Sequence, residues 1–186
     1  MDHLTGIAAT GFPNDYAMAT AIFGVFGFSW FGWAQESPPP SWRLALGLAA
    51  ALCLSLAGVG GYLAFTNWGA ASALTATGAY QTFGLVVGIE VAAALLGAGV
   101  LRYWHQQAFT APWVAFVVGL HMLPLASVFQ DRALYGLGFL LMAAAVAPLV
   151  LAHKLRLSAS TMTGVGAASA LLAYATRGLF LAVNGM

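Results

Sequence analysis

At 186 residues, with 61% apolar side chains, 6% charged ones and a net charge of +1, the chain lacks the polar surface that a water-soluble domain requires. Six basic and five acidic residues are too few to make a water-facing surface, and the net charge of +1 argues against nucleic-acid binding. The apolar residues come in blocks of about 20, the length at which an α-helix rising ~1.5 Å per residue crosses a ~30 Å hydrocarbon core. The predicted fold is therefore all-α and integral to a membrane, a six-helix bundle forming a single transmembrane domain.

The first block, residues 16–34, is rich in Gly and aromatic side chains and has neither the basic leader nor the small-residue cleavage site of a removable signal peptide, so it reads as the first span. Ser37-Pro38-Pro39-Pro40-Ser41 cannot continue a helix and makes a stiff turn. The second span, 42–65, holds the lone cysteine, Cys53, so an intrachain disulfide is excluded. Its Gly58-Val59-Gly60-Gly61 run lacks the Lys-Ser/Thr of a phosphate-binding loop and belongs instead with Gly24, Gly27, Gly97 and Gly99 as close-packing positions.

The third span, 80–103, carries Glu90. Pro112 opens the fourth, 112–129, where proline is tolerated, and His121 and Pro124 follow within it. The link Asp131-Arg132 is so short that the fifth span, 133–153, must run antiparallel beside the fourth; Pro148 lies inside it. The sixth, 161–183, contains Tyr174 and Arg177. Three helices in each half would permit an inverted three-plus-three repeat, for which matching Ala-Leu-Leu composition in the third and sixth spans is the sole sign.

Arg43, Arg102, Lys154 and Arg156 all fall at the first, third and fifth connections, and basic loops stay cytoplasmic, so both termini are expected on the non-cytoplasmic side. Trp33, Trp42, Trp104 and Trp113 would then anchor the basic side, and Tyr16, Trp68, Tyr80 and Tyr135 the other.

Three strongly polar side chains fall between the midplane and the outer surface of such a bundle. Glu90 sits about 15 Å from the outer end, His121 about 12 Å and Arg177 about 9 Å, counted along the helical rise. A carboxylate at that depth is costly unless protonated, paired or wetted, and is by default a candidate for function, although polar glue between helices or a snorkelling arginine accounts for single residues. The shared depth predicts an outward-opening polar pocket built on Glu90, His121 and Arg177, in which a Glu90–Arg177 pair is geometrically allowed. Tyr174 and Ser127 would line it, with Asp15, Tyr16, Tyr80 and Gln81 at its mouth, and Pro124 and Pro148 as hinge candidates.

The segment Gly119-Leu120-His121-Met122-Leu123-Pro124-Leu125-Ala126 resembles one in functionally uncharacterised small bacterial multi-pass membrane proteins. That resemblance covers one helix and implies a bacterial inner (cytoplasmic) membrane but no particular activity. Other classes are disfavoured by the residues. The sole lysine, Lys154, is at a loop, which excludes a retinal Schiff base. His3, His105, His121 and His153 stand on separate segments without metal-ligand spacing, so no metal or cofactor is expected. His121 and Ser127 are on different sides of one helix and make no nucleophile–base pair, so enzymatic activity is not favoured.

The leading expectation is a small transporter or channel-like protein in which Glu90 and His121 exchange protons and Arg177 attracts an anionic solute or sets the charge of Glu90. The alternatives are a ligand-binding or sensory module holding a lipid-like or hydrophobic molecule, and a structural partner subunit. The expected partners are the lipid bilayer and a small-molecule ligand, with a homo-oligomer as the assembly that bundles of this size commonly need.

Overall fold

The computed structural model describes residues 12–186, of which His3 is therefore not one. Its six long helices are α1 (Pro13–Ala34), α2 (Arg43–Thr66), α3 (Ala79–Tyr103), α4 (Thr110–Val128), α5 (Ala133–Leu155) and α6 (Ala159–Gly185). Short 3-10 turns at Pro40–Trp42, Ala73–Thr75 and Gln107–Phe109 precede α2, α3 and α4. No strand occurs among the described residues. All six helices are long and apolar enough to cross a membrane, and their bounds lie within three residues of the expected spans.

Local chemistry sets the helix ends. Pro13 opens α1 at a position where a missing N–H costs nothing. The Ser158 hydroxyl caps α6 by accepting from the Thr161 N–H at 3.0 Å. Helices α3, α4 and α5 stop differently, each at a left-handed residue that is not glycine: His105 (φ 57), Gln130 (φ 54) and Arg156 (φ 53). In each case the next N–H turns back to the helix, as in Gln106 N–H to the Leu101 carbonyl at 2.7 Å and Asp131 N–H to the Ala126 carbonyl at 3.1 Å.

Helix α1 lies between α2 and α6; α6 continues the row to α5 and α4, and α3 packs chiefly on α4 among the long helices. The buried core follows that row, with Phe23, Trp30 and Phe31 of α1, Leu137 and Leu141 of α5, and Leu171 of α6 at its centre. Backbones approach closely at glycines. A Cβ on Gly24 would meet the Cys53 carbonyl at 2.7 Å, one on Gly60 the Ala21 nitrogen at 2.7 Å, one on Gly119 the Gly138 carbonyl at 2.8 Å and one on Gly138 the Gly119 carbonyl at 2.7 Å. Gly58, Gly61 and Gly99 have open space instead, so only part of the glycine set serves packing within this chain.

The halves do not pack alike. Helix α5 lies along α6, whereas α2 and α3, the matching pair under a three-plus-three repeat, make no comparable contact. The 67–78 link carries α3 away from α2, and it is pinned on the way: Asp15 in the first turn of α1 accepts the Ala73 N–H at 2.8 Å, and Ala73 is buried.

Candidate functional site

Helix α3 has no fully buried residue, and its seam with α4 is built in layers. Phe83, Glu90 and Gly97 stand two turns apart on one stripe of α3, facing Phe129 just past the end of α4 and His121 and Trp113 within it. At one end of the seam the Phe83 and Phe129 rings meet edge to face, centroids 5.9 Å apart. At the other, the Trp113 indole lies in the space a Cβ on Gly97 would fill, and its N–H donates to the Ala93 carbonyl at 3.1 Å. Trp113 is thus a helix-packing residue and does not stand free as an interfacial anchor.

The middle layer is polar. His121 Nε2 stands 3.4 Å from Glu90 Oε2, with side chains 11% and 17% exposed. That separation exceeds a well-formed hydrogen bond, so the two groups are in reach without being locked. His121 Nδ1 is buried with no hydrogen-bond partner among the described residues. The carboxylate is the imidazole's charged neighbour, with the Val118 carbonyl of the preceding turn the backbone group near the ring, and a proton placed between ring and carboxylate can reside on either group. Helix α4 runs uninterrupted through Pro124, as α5 does through Pro148.

Arg177 is elsewhere. Its guanidinium forms a two-pronged pair with Asp131, Nη1 to Oδ2 at 2.7 Å and Nη2 to Oδ1 at 3.1 Å, and stacks over the Tyr16 ring at 5.7 Å. Asp131 Oδ1 also accepts the Ala133 N–H at 3.0 Å, so the same carboxylate caps α5. The Glu90–Arg177 pair that helix geometry allowed is not the one formed: a carboxylate in the α4–α5 turn takes both prongs. The signal for it was Asp131 itself, an acid two residues before a helix and at the same end of the bundle as Arg177; it reads as mere linker when only the brevity of the turn is considered.

Around this ion pair lies a cleft of ≈ 620 Å³ lined by Tyr16, Ser127, Gln130, Asp131, Arg132, Tyr135 and Arg177, with Ala126 at its floor. Ser127 is held by Tyr135, oxygens 3.0 Å apart, and does not engage His121. Neither Glu90 nor His121 lines the cleft. The single outer pocket expected from shared depth is thus two places, a carboxylate–imidazole pair within the α3–α4 seam and an arginine–aspartate cleft at the end of the bundle. Of the remaining expected lining residues, Tyr174 turns its hydroxyl against Gly136 of α5, and Tyr80 and Gln81 are exposed on the first turn of α3. Among the described residues no group of three His, Cys, Asp or Glu side chains could hold a metal ion.

No protein-family model, curated protein or solved structure matches this chain. The fold and its polar groups define it as a six-helix bundle of membrane-spanning proportions with a paired carboxylate and imidazole at mid-height, and its function is argued from that geometry.

Proposed function

We propose that this chain is an integral membrane protein, in a bacterial cytoplasmic membrane with both termini outside, and that it works as a small proton-coupled transporter or channel in which Glu90 and His121 exchange the proton. The observation that carries this reading is the 3.4 Å approach of Glu90 to His121 at mid-height in an otherwise apolar seam. An acidic residue at the centre of a spanning helix costs about 3 kcal/mol on insertion scales. A chain that carries one and places it opposite a titratable ring has the parts of a proton relay. Among the long helices α3 packs chiefly on α4, so the seam can open without disturbing the α1–α6 core. The basic loops at one end and the one-helix resemblance support the orientation and the membrane.

The test needs no known solute. Vesicles containing the protein, adsorbed on a capacitive electrode and given a pH jump, should show a transient charge displacement. Glu90→Gln, which keeps the shape and the approach to His121, should remove it while the thermal midpoint is retained. Equal displacement in wild type and Glu90→Gln would overturn the reading.

A structural role for the same pair is favoured by its place in a regular run of layers. One polar layer in an apolar seam specifies register, as a single buried Asn does in coiled coils. Under that alternative Glu90→Gln lowers the thermal midpoint and the pH jump produces no charge displacement in either protein.

A further inference from the structure

The cleft at the α4–α5 turn is separate from the proton pair and has its own chemistry. Its described lining residues include two guanidinium groups, Arg132 and Arg177, against one carboxylate, Asp131. That carboxylate is already used: Oδ2 accepts from Arg177, and Oδ1 accepts from both Arg177 and the Ala133 N–H. The donors are not exhausted. A guanidinium has five N–H groups, of which the pair with Asp131 engages two. The Ser127–Tyr135 contact uses one hydroxyl proton and leaves the other. Gln130 adds an amide at the rim, on a left-handed residue that turns the chain over the opening. The cleft lies between the C-terminal turn of α4 and the N-terminal end of α5, whose opposed dipoles offset each other, so its positive balance rests on the guanidinium groups.

A cavity with surplus donors and two guanidinium groups against one carboxylate takes a negatively charged acceptor. The geometry points to an oxyanion site: the cleft binds a phosphate- or carboxylate-bearing molecule, with Arg132 as the charged contact, Gln130 and the Ser127–Tyr135 hydroxyl as hydrogen-bond donors, and Arg177 held in place by Asp131 and Tyr16. Its volume of ≈ 620 Å³ admits a small anion or a lipid headgroup. The headgroup source rests on the membrane reading above; the free anion does not, and neither depends on proton exchange at Glu90.

The full chain in phosphatidylcholine nanodiscs is titrated calorimetrically with sodium phosphate and with sodium acetate. In parallel, nanodiscs of equal parts phosphatidylcholine and phosphatidylglycerol are analysed by native mass spectrometry for retained lipid. A saturable heat that Arg132→Gln weakens about tenfold identifies a free anion as the ligand. No heat, with phosphatidylglycerol retained by wild type and lost in Arg132→Gln, identifies a headgroup. Arg132→Lys should keep part of the binding in either case, and Tyr135→Phe, which removes a donor but no charge, gives a second test should Arg132→Gln fold poorly. Absence of both signals, or signals that neither Arg132→Gln nor Tyr135→Phe reduces, would overturn the proposal.

Discussion

Single residues divide here between those that only occupy a depth and those that have found a partner. Asp131 does the most of any one side chain: it closes a bidentate pair with Arg177 and caps α5 through the Ala133 N–H. Asp131→Ala removes both and leaves a guanidinium over Tyr16 without its counter-charge, so it should cost about 1–3 kcal/mol. Asp131→Asn, which keeps an oxygen for the cap, should cost less. Thermal unfolding of the purified variants in one detergent checks the order, and equal loss in the two would mean that the cap contributes little beside the ion pair. Glu90 and His121 are poised rather than locked, and the difference from Arg177–Asp131 is visible in the distances, 3.4 Å against 2.7 and 3.1 Å. Depth was legible for Glu90, His121 and Arg177 because a helix converts residue number into height. Azimuth was not, since a slip of one residue rotates a side chain by about 100° and the true face depends on which neighbour arrives.

Between helices, glycine governs how close two backbones come, and adjacent glycines behave oppositely. A Cβ on Gly60 would lie 2.8 Å from the Ala17 carbonyl and 2.7 Å from the Ala21 nitrogen, while one on Gly61 would meet nothing within 4 Å among the described residues. Gly60→Ala should therefore push α2 from α1 and lower the thermal midpoint by several degrees, an overpacking cost of about 1–3 kcal/mol. Gly61→Ala should leave the midpoint unchanged or raise it, because alanine favours a helix over glycine by about 1 kcal/mol. A fall of equal size in both variants would show that α1 and α2 do not meet at Gly60. The α3–α4 seam follows the same logic, with Gly97 making room for Trp113 and so setting the height at which Glu90 meets His121. In the sequence all these glycines look the same. Three helix ends were equally hidden, because His105, Gln130 and Arg156 occupy left-handed positions where glycine is the usual marker.

At the scale of the whole molecule, charges separate between the two ends. Arg43, Arg102, Lys154 and Arg156 cluster at the end formed by the first, third and fifth connections, and Asp15, Asp131, Arg132 and Arg177 lie toward the other. If the chain is inserted as proposed, a single cysteine placed at Gln107 or Ser158 in a Cys53→Ser background should be shielded from a membrane-impermeant maleimide in intact cells, and one at Ser72 should react. Reaction with the reverse pattern would invert the topology, and reaction at every site would remove the membrane reading. Cys53 is fully buried beside Gly27, so its replacement by the slightly smaller serine removes the one native thiol without exposing new surface. Helix α3, which among the long helices packs chiefly on α4, is the element whose displacement leaves the most of the bundle intact.

Composition and block length by themselves determined the helical class, the number of long helices and their bounds, because a hydrocarbon-length apolar run with internally satisfied backbone groups has one economical conformation. They also singled out Glu90, His121 and Arg177 as polar groups in apolar surroundings. Only the tertiary structure decided that α3 leaves α2 for α4, that Arg177 joins Asp131 and not Glu90, and that one expected pocket is two distinct sites. The physical reason is that helix order around a bundle is chosen by side-chain fit at glycines, indoles and phenyl rings over many contacts. Each fit is small, and each depends on a partner that a one-dimensional pattern does not name.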